Sequence, residues 1–441
     1  MQRTQVKRGA AVAAAVLSGS LLLGACSFGS SGAGASGSGS VTITLLTDNE
    51  PATVTAAAAL VKAFHAANPT ITVSTSTRPA GTDGDNVVKT RLATGTMADV
   101  FEYNNGSLFQ ALDPAKNIVP QTGQPFVANL QESFKPTVTS GQVIYGAPWG
   151  TAFGGGIMYN IPIFKKLGLS VPTTWAEFMA NNAKIKAAGI TPVLQSYQDS
   201  WTSQLLVLGD FHNVAVADPN WAVNYTANKA KYAQAPAFEG FQRLQAVHDA
   251  GYLNKNFAST TYVQALHLLA TGKGAQYPML SNAISGIQTA DPQNVKDVGF
   301  FAQPGDSAAT NGLTVWPGTG TYIAKTAKGA KLAAAEKFMN FLASKPGCDA
   351  QTSAAGPTGP YLVKGCTLPG NLPPAVTDLL PYFNSAGKTT PALEFLSPVK
   401  GPNLEQITVQ VGSGISSAAK GAALYDQDVK KQAQQLGLAG W

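Results

Sequence analysis

From Val41 onward the chain repeats one order, strand then helix. That order restricts the fold more than any other feature. Successive parallel strands need a crossover, and a helix is the usual one, so the pattern reads as α/β with largely parallel strands. Val41–Leu46 interleaves Thr with Val, Ile and Leu and reads as the first strand. Pro51 opens a helix whose apolar positions Val54, Ala57, Val61 and Phe64 lie on one side, and Asn68-Pro69 stops it. Ile71–Thr75 is the second strand, Val87–Ala93 a helix and Asp99–Tyr103 the third strand. Val143–Tyr145 and Gly156–Tyr159 flank a Gly-rich bend. Thr174 and Glu177 have capping-box spacing, and that helix ends before Gly189. Thr191–Leu194 is a further strand; Phe238–His248, Leu332–Leu342 and Ser416–Leu436 are later helices. A body running from Val41 to Trp441 exceeds what one hydrophobic core usually serves, so two lobes are expected.

Ahead of that body, Arg3, Lys7 and Arg8 precede an apolar run from about Gly9 to Leu23, the pattern of a secretory signal peptide spanning 1–25. The run is too short for a membrane span, which needs ~20 apolar residues. Leu23-Gly24-Ala25-Cys26 resembles a bacterial lipobox, which implies cleavage before Cys26 and a lipid on its sulfur; an ordinary signal peptide with an incidental cysteine is the alternative. Residues 26–40 are Gly/Ser-rich and read as a soft tether. The expected location is therefore extracytoplasmic, lipid-anchored on the outer face of the cytoplasmic membrane.

The full chain carries a net charge of +6, and removing Arg3, Lys7 and Arg8 leaves +3. Without a Lys/Arg run to track phosphates, nucleic acid is not the expected partner. Charged residues make up only 12% of the chain, and Ala, Gly, Thr, Asn and Gln are abundant. Such a surface suits neutral polar ligands better than ions. Cys348 and Cys366 stand 18 positions apart in an exported chain, so a disulfide between them is expected, with two buried free thiols as the alternative. The four histidines, His65, His212, His248 and His267, are scattered, and no metal site is expected.

Ile157–Gly168 (IMYNIPIFKKLG), followed by Val171–Phe178 (VPTTWAEF), resembles the "YNKxLFKKLGLxxPxTWxEF" segment of family 1 extracellular solute-binding proteins, the sugar-binding lipoproteins of ABC importers. Ala187–Pro192, Asp199–Trp201, Gly272–Tyr277, Asp99-Val100, Ala334–Leu342 and the terminal Leu436–Trp441 fit further motifs in the same order. Asn282 stands where that family commonly has a sugar-stacking Trp. The resemblance implies a two-lobed periplasmic-binding-protein fold of type II, with a hinge and an interlobe cleft. It implies a substrate-binding lipoprotein that delivers a sugar or oligosaccharide to membrane permease subunits, acting as a monomer without cofactor or catalysis. From the Gly/Pro punctuation, crossings between lobes are expected near Tyr145–Gly150, Pro304–Gly318 and Gly356–Pro360. Lobe 1 is then about 41–147 plus 312–356, and lobe 2 about 148–311 plus 357–441.

A neutral sugar is held by rings against its C–H faces and by carboxylates and amides around its hydroxyl rim. In open α/β sheets the ligand sits beyond the carboxyl ends of strands. The candidates by that rule are Asp48, Asn49 and Glu50 after the first strand, Asn104 and Asn105 after the third, and Trp149 in the bend after Val143–Tyr145. Asp199 and Trp201 follow Thr191–Leu194, and Trp316 lies in a Pro/Gly-rich crossover. Asn282 and, in a late loop, Glu394 with Phe395 complete the set. Each has a plainer reading: hinge packing for Trp149 and Trp316, a helix cap for Glu50, a turn for Asn104-Asn105. Trp175, beside its cap, is assigned to packing. A secreted carbohydrate-active enzyme is the rival function, but no GxSxG or HExxH and no recognisable carboxylate pair occurs. A surface sensor or adhesion module on the same fold is a third.

Overall fold

The structure, a computed structural model, describes residues 39–441. The expected signal peptide, the expected lipidation site Cys26 and most of the expected tether lie outside the described residues. Among the described residues no helix is long and apolar enough to cross a membrane.

Two sheets organise the body. The first has five strands in the order Ile71–Arg78, Val41–Asp48, Val100–Tyr103, Thr319–Ile323, Gly146–Trp149. Val41 pairs with Ile71 and Leu45 with Val100 in parallel register, but Thr319–Ile323 runs antiparallel to both of its neighbours. The helix Pro51–Ala67 covers this sheet through Ala57, Leu60 and Phe64, and Phe64 meets Phe338 edge-on at 5.1 Å. Val54, expected on that inward side, is 41% exposed; Ala56 and Leu60 take the buried positions instead. The next helix spans Gly81–Thr94, starting six residues before the expected Val87.

The second sheet has the order Thr389–Pro391, Leu313–Trp316, Phe153–Asn160, Gly274–Leu280, Thr191–Val193, and Val298–Ala302 also pairs with Phe153–Asn160. Phe153–Asn160 is its spine. One edge takes Gly274–Leu280, and the other is shared end to end by Leu313–Trp316 and Val298–Ala302, all antiparallel. Both sheets are therefore mixed, not largely parallel as expected. In the first sheet the antiparallel member, Thr319–Ile323, is the strand that returns directly from the second sheet rather than through a helical crossover. One side of the second sheet packs Phe178, Trp221, Phe241 and Tyr425, and the other packs Met158, Tyr277, Ile284 and Leu379. The Thr174–Glu177 capping box forms as expected, and Trp175 packs on Phe178 with ring centroids 4.9 Å apart.

The chain passes between the sheets at 150–152 and again at Pro317-Gly318, because Leu313–Trp316 belongs to the second sheet and Thr319–Ile323 to the first. Residues 312–316, expected with lobe 1, thus pair within the second sheet. The last passage falls after Val363, which bridges Leu130 in the first core, and before the helix Pro374–Phe383, which packs on Val298–Ala302. The Cys348 and Cys366 sulfurs are joined, with Cα atoms 6.3 Å apart.

Candidate binding cleft

The carboxyl ends of the three parallel strands of the first sheet face one cleft, whose interior is about 240 Å³. They deliver Asp48 and Glu50, Arg78, and Glu102, Asn104 and Asn105. The opposite wall comes from the second sheet and its helices: Phe153, Trp201, Gln204, Tyr262, Trp316 and the segment Glu394–Glu405.

Two aromatic surfaces stand on that wall. Trp316 and Phe153 lie nearly parallel, interplanar angle 5° and centroids 6.4 Å apart. Trp316 fits because residue 155 is glycine: a Cβ there would come within 2.5 Å of the indole ring. The indole N–H donates to Glu394, whose other oxygen takes Lys400 Nζ at 3.0 Å. The second surface pairs Trp201 with Tyr262, centroids 5.1 Å apart.

The rim is charged and mostly dehydrated. Arg78 bonds Glu102 at 3.2 Å, both side chains buried. Burial pushes the Glu102 carboxyl up, against the pull of Arg78. Asp48 and Asp85 are likewise raised by burial, with Arg78 opposing in each case and Lys89 opposing at Asp85. Glu50 is pushed up to about 8, first by burial, then by the charges of Asp48 and Asp199. Burial works against the charge of Lys400, but Glu394, Glu405 and Asp85 outweigh it and hold the ammonium above its ordinary range. Glu405 accepts from Ser200 Oγ at 2.9 Å and from the Thr82 amide at 3.5 Å, a contact from one wall to the other.

Of the sequence candidates, Asp48, Glu50, Asn104, Asn105, Trp201, Asn282, Trp316, Glu394 and Phe395 line this cleft. Glu50 occupies the N-cap position of its helix, yet its side chain makes no capping bond. Asn105 also caps nothing; its Nδ2 donates to Thr137 Oγ1 and to the carbonyls of Pro317 and Gly318, tying the strand end to the crossing. Trp149 lies on a smaller adjoining cavity of about 130 Å³ with Gln351 and Tyr361, and Asn282 borders both spaces. Asp199 lines neither; its carboxylate accepts the Tyr262 amide at 2.6 Å and so positions that ring.

Sequence reasoning missed Arg78, Glu102, Phe153, Tyr262, Lys400 and Glu405. Arg78 and Glu102 sit within strands, where strand alternation hides them; the strand-end rule, extended one residue inward, would have found Arg78. Tyr262 follows Thr261, whose capping box with Gln264 was a legible helix start.

Several polar atoms on the cleft walls have no partner among the described residues: Arg78 Nε, Asp85 Oδ1, Asn105 Oδ1, Trp201 Nε1 and Gln204 Oε1. Buried polar groups are normally paired, and these atoms are both unpaired and closed off from solvent. The arrangement can grip a polar ring compound by its faces and rim.

Comparison with known proteins agrees with that geometry. Residues 47–347 match the family described as bacterial extracellular solute-binding protein. The multiple sugar-binding protein of Streptococcus mutans serotype c is 30% identical over 323 residues, 71% of this chain and 73% of the relative. Among solved structures, a chitin oligosaccharide binding protein superposes with TM-score 0.76 at 22% identity, covering 90% of this chain and 99% of its own. The solute-binding protein RafE in complex with raffinose gives TM-score 0.72 at 20% identity, with the same coverage. With its two lobes and interlobe cleft, the chain belongs to the bacterial extracellular solute-binding protein family.

Proposed function

We propose that this protein is the sugar-binding receptor of an ABC importer, capturing a sugar or oligosaccharide between its lobes and presenting it to membrane permease subunits. The observation that carries the reading is the cleft itself. Two aromatic surfaces, Trp316 with Phe153 and Trp201 with Tyr262, oppose a rim of carboxylates and amides with unpaired polar atoms. Rings exclude water from a sugar's C–H faces, and charge-assisted hydrogen bonds fix its hydroxyls. The relatives named for multiple sugars, chitin oligosaccharide and raffinose support the same class.

In this reading Glu50, Asn104, Asn105, Trp201, Asn282, Trp316 and Glu394 contact the ligand. Trp149 contacts the end of a longer one, and Asp199 acts through Tyr262. The lobes comprise about 41–149 plus 319–366 and 153–316 plus 374–441. The mature protein is held by a lipid on Cys26, contains the Cys348–Cys366 disulfide, works as a monomer and performs no chemistry. A thermal-shift screen of residues 39–441 against raffinose, stachyose and chitin oligosaccharides tests the ligand class. A ligand that binds only the folded state raises the melting temperature, by about 2.7 kcal/mol of added stability at a hundred times its Kd. A flat response across all carbohydrates contradicts the reading, and so does release of hydrolysed product.

A further inference from the structure

We infer that the ligand is an oligosaccharide whose terminal unit passes Asn282 into the smaller cavity beside Trp149, and that Asn282 sets which chain lengths bind. This deepens the sugar-receptor reading and rests on it.

The cleft and the smaller cavity meet along one frontier: Asp48, Thr53, Glu102, Phe153, Asn282 and Thr319 line both. Their interiors are about 240 and 130 Å³. Pockets for drug-sized ligands begin at ~300 Å³, which only the two spaces together reach. Ring surfaces continue from one to the other. Phe153, stacked with Trp316, faces both spaces, and Trp149 stands in the smaller one. Successive units of a sugar chain present successive C–H faces, which such a series of rings can cover.

The two spaces differ in chemistry. The cleft is lined by six carboxylates and three cationic side chains. In the smaller cavity the only charged side chains are Asp48 and Glu102, both at the frontier. Its inner polar groups satisfy one another. Gln351 accepts from the Gly150 amide at 3.0 Å and donates to the Gly347 carbonyl at 3.3 Å. Thr151 bonds Thr358 at 2.8 Å, and the Tyr361 hydroxyl bonds Thr352. A wall so satisfied makes few demands on hydroxyl stereochemistry, and it offers Trp149 as a face. It reads whether a further unit is present, whereas the charged cleft reads which sugar it is.

Asn282 stands between the two. It is exposed and holds the N-cap position of the helix Ala283–Ala290, where an Asn side chain commonly accepts from a backbone amide, yet it makes no such bond. Its amide therefore keeps donors and an acceptor for sugar hydroxyls. Ser285, on the same helix face one turn later, lines the smaller cavity. A large ring at position 282 would stand in the passage.

The test is calorimetry on residues 39–441 at pH 7 with three series of rising length: N-acetylglucosamine to its β1,4-linked tetramer; sucrose, raffinose and stachyose; and glucose, maltose and maltotriose. In at least one series a single added unit is expected to tighten binding tenfold or more. Asn282→Trp should weaken the longer member tenfold or more and the shorter threefold or less. Trp149→Ala, at the far end of the smaller cavity, should likewise shrink the gain from the added unit, and it serves as the second variant should Asn282→Trp fail to fold; melting curves of both show whether they do. Shortest members that bind as tightly as longer ones in every series overturn the inference and leave the sugar-receptor reading standing. So does a length gain that survives in the folded variants. If no member of any series binds, both fall.

Discussion

Glu50 carries a cost that its position explains. Its acid form is favoured in the folded protein, with a pKa of about 8 against an ordinary 4.5, because burial and the charges of Asp48 and Asp199 oppose ionisation. Between those two values the folded state holds a proton that the unfolded state has lost, so stability falls as pH rises through that window. Glu50→Gln should therefore melt higher than wild type at pH 9, with the difference shrinking toward zero at pH 4. Melting curves of the two proteins across that range check it; parallel curves would show that Glu50 is not strained. Trp201→Ala and Trp316→Ala should each weaken sugar binding tenfold or more, about 1.4 kcal/mol. Trp175→Ala should do the reverse. Its ring packs on Phe178 and lies 5.5 Å from the Arg243 guanidinium, so about 3 kcal/mol of stability is expected to go while affinity stays. Calorimetry beside thermal melts separates the two outcomes.

Among the elements, legibility followed chemistry. Pro51–Ala67, Trp175–Ala187 and Phe238–Asp249 announced themselves through Pro, a capping box and a Gly stop. The helices Lys345–Ala355, Pro374–Phe383 and Leu404–Gly412 did not, and with the last went Glu405. Pro381 inside one of them and the Gly/Pro-rich flanks read as loop until tertiary packing overrides them. Strand direction was equally hidden, since pairing of Phe153–Asn160 with three other strands depends on contacts far away in sequence. The short helix Gly106–Gln110 is the most informative element for motion. Gly106 sits at φ +61°, and a Cβ there would come within 2.2 Å of the Glu394 carbonyl on the opposite wall. A methyl group fits only if the walls separate. Gly106→Ala should weaken ligand affinity tenfold or more, while stability drops only by the ~1–2 kcal/mol of placing Ala at positive φ. If the walls do not move, calorimetry will instead show unchanged affinity with a much larger loss of melting temperature. The linked Cys348 and Cys366 close the loop that supplies Gln351 and Tyr361 to the smaller cavity. Replacing both with Ser should cost roughly 2–4 kcal/mol, read by denaturant unfolding.

For the molecule as a whole, family and two-lobed architecture were visible in ordered motifs spread from Asp99 to Trp441. The placement of ligand residues on the far wall was visible only where aromatic residues followed a strand. The cleft explains why: its walls come from segments hundreds of residues apart, such as Glu50 and Glu405, brought together by chain crossings. At this scale Cys26→Ala should move the protein from the membrane fraction to the medium or leave it unprocessed, and palmitate labelling should vanish. The measurement that bears most directly on the central claim is a calorimetric titration of residues 39–441 with the best carbohydrate from the thermal-shift screen, run on wild type and Trp316→Ala in parallel. We predict one-to-one binding to wild type and at least a tenfold weaker Kd for the variant at nearly unchanged melting temperature. A carbohydrate that binds both proteins equally, or none that binds wild type, would contradict a sugar held between these two walls.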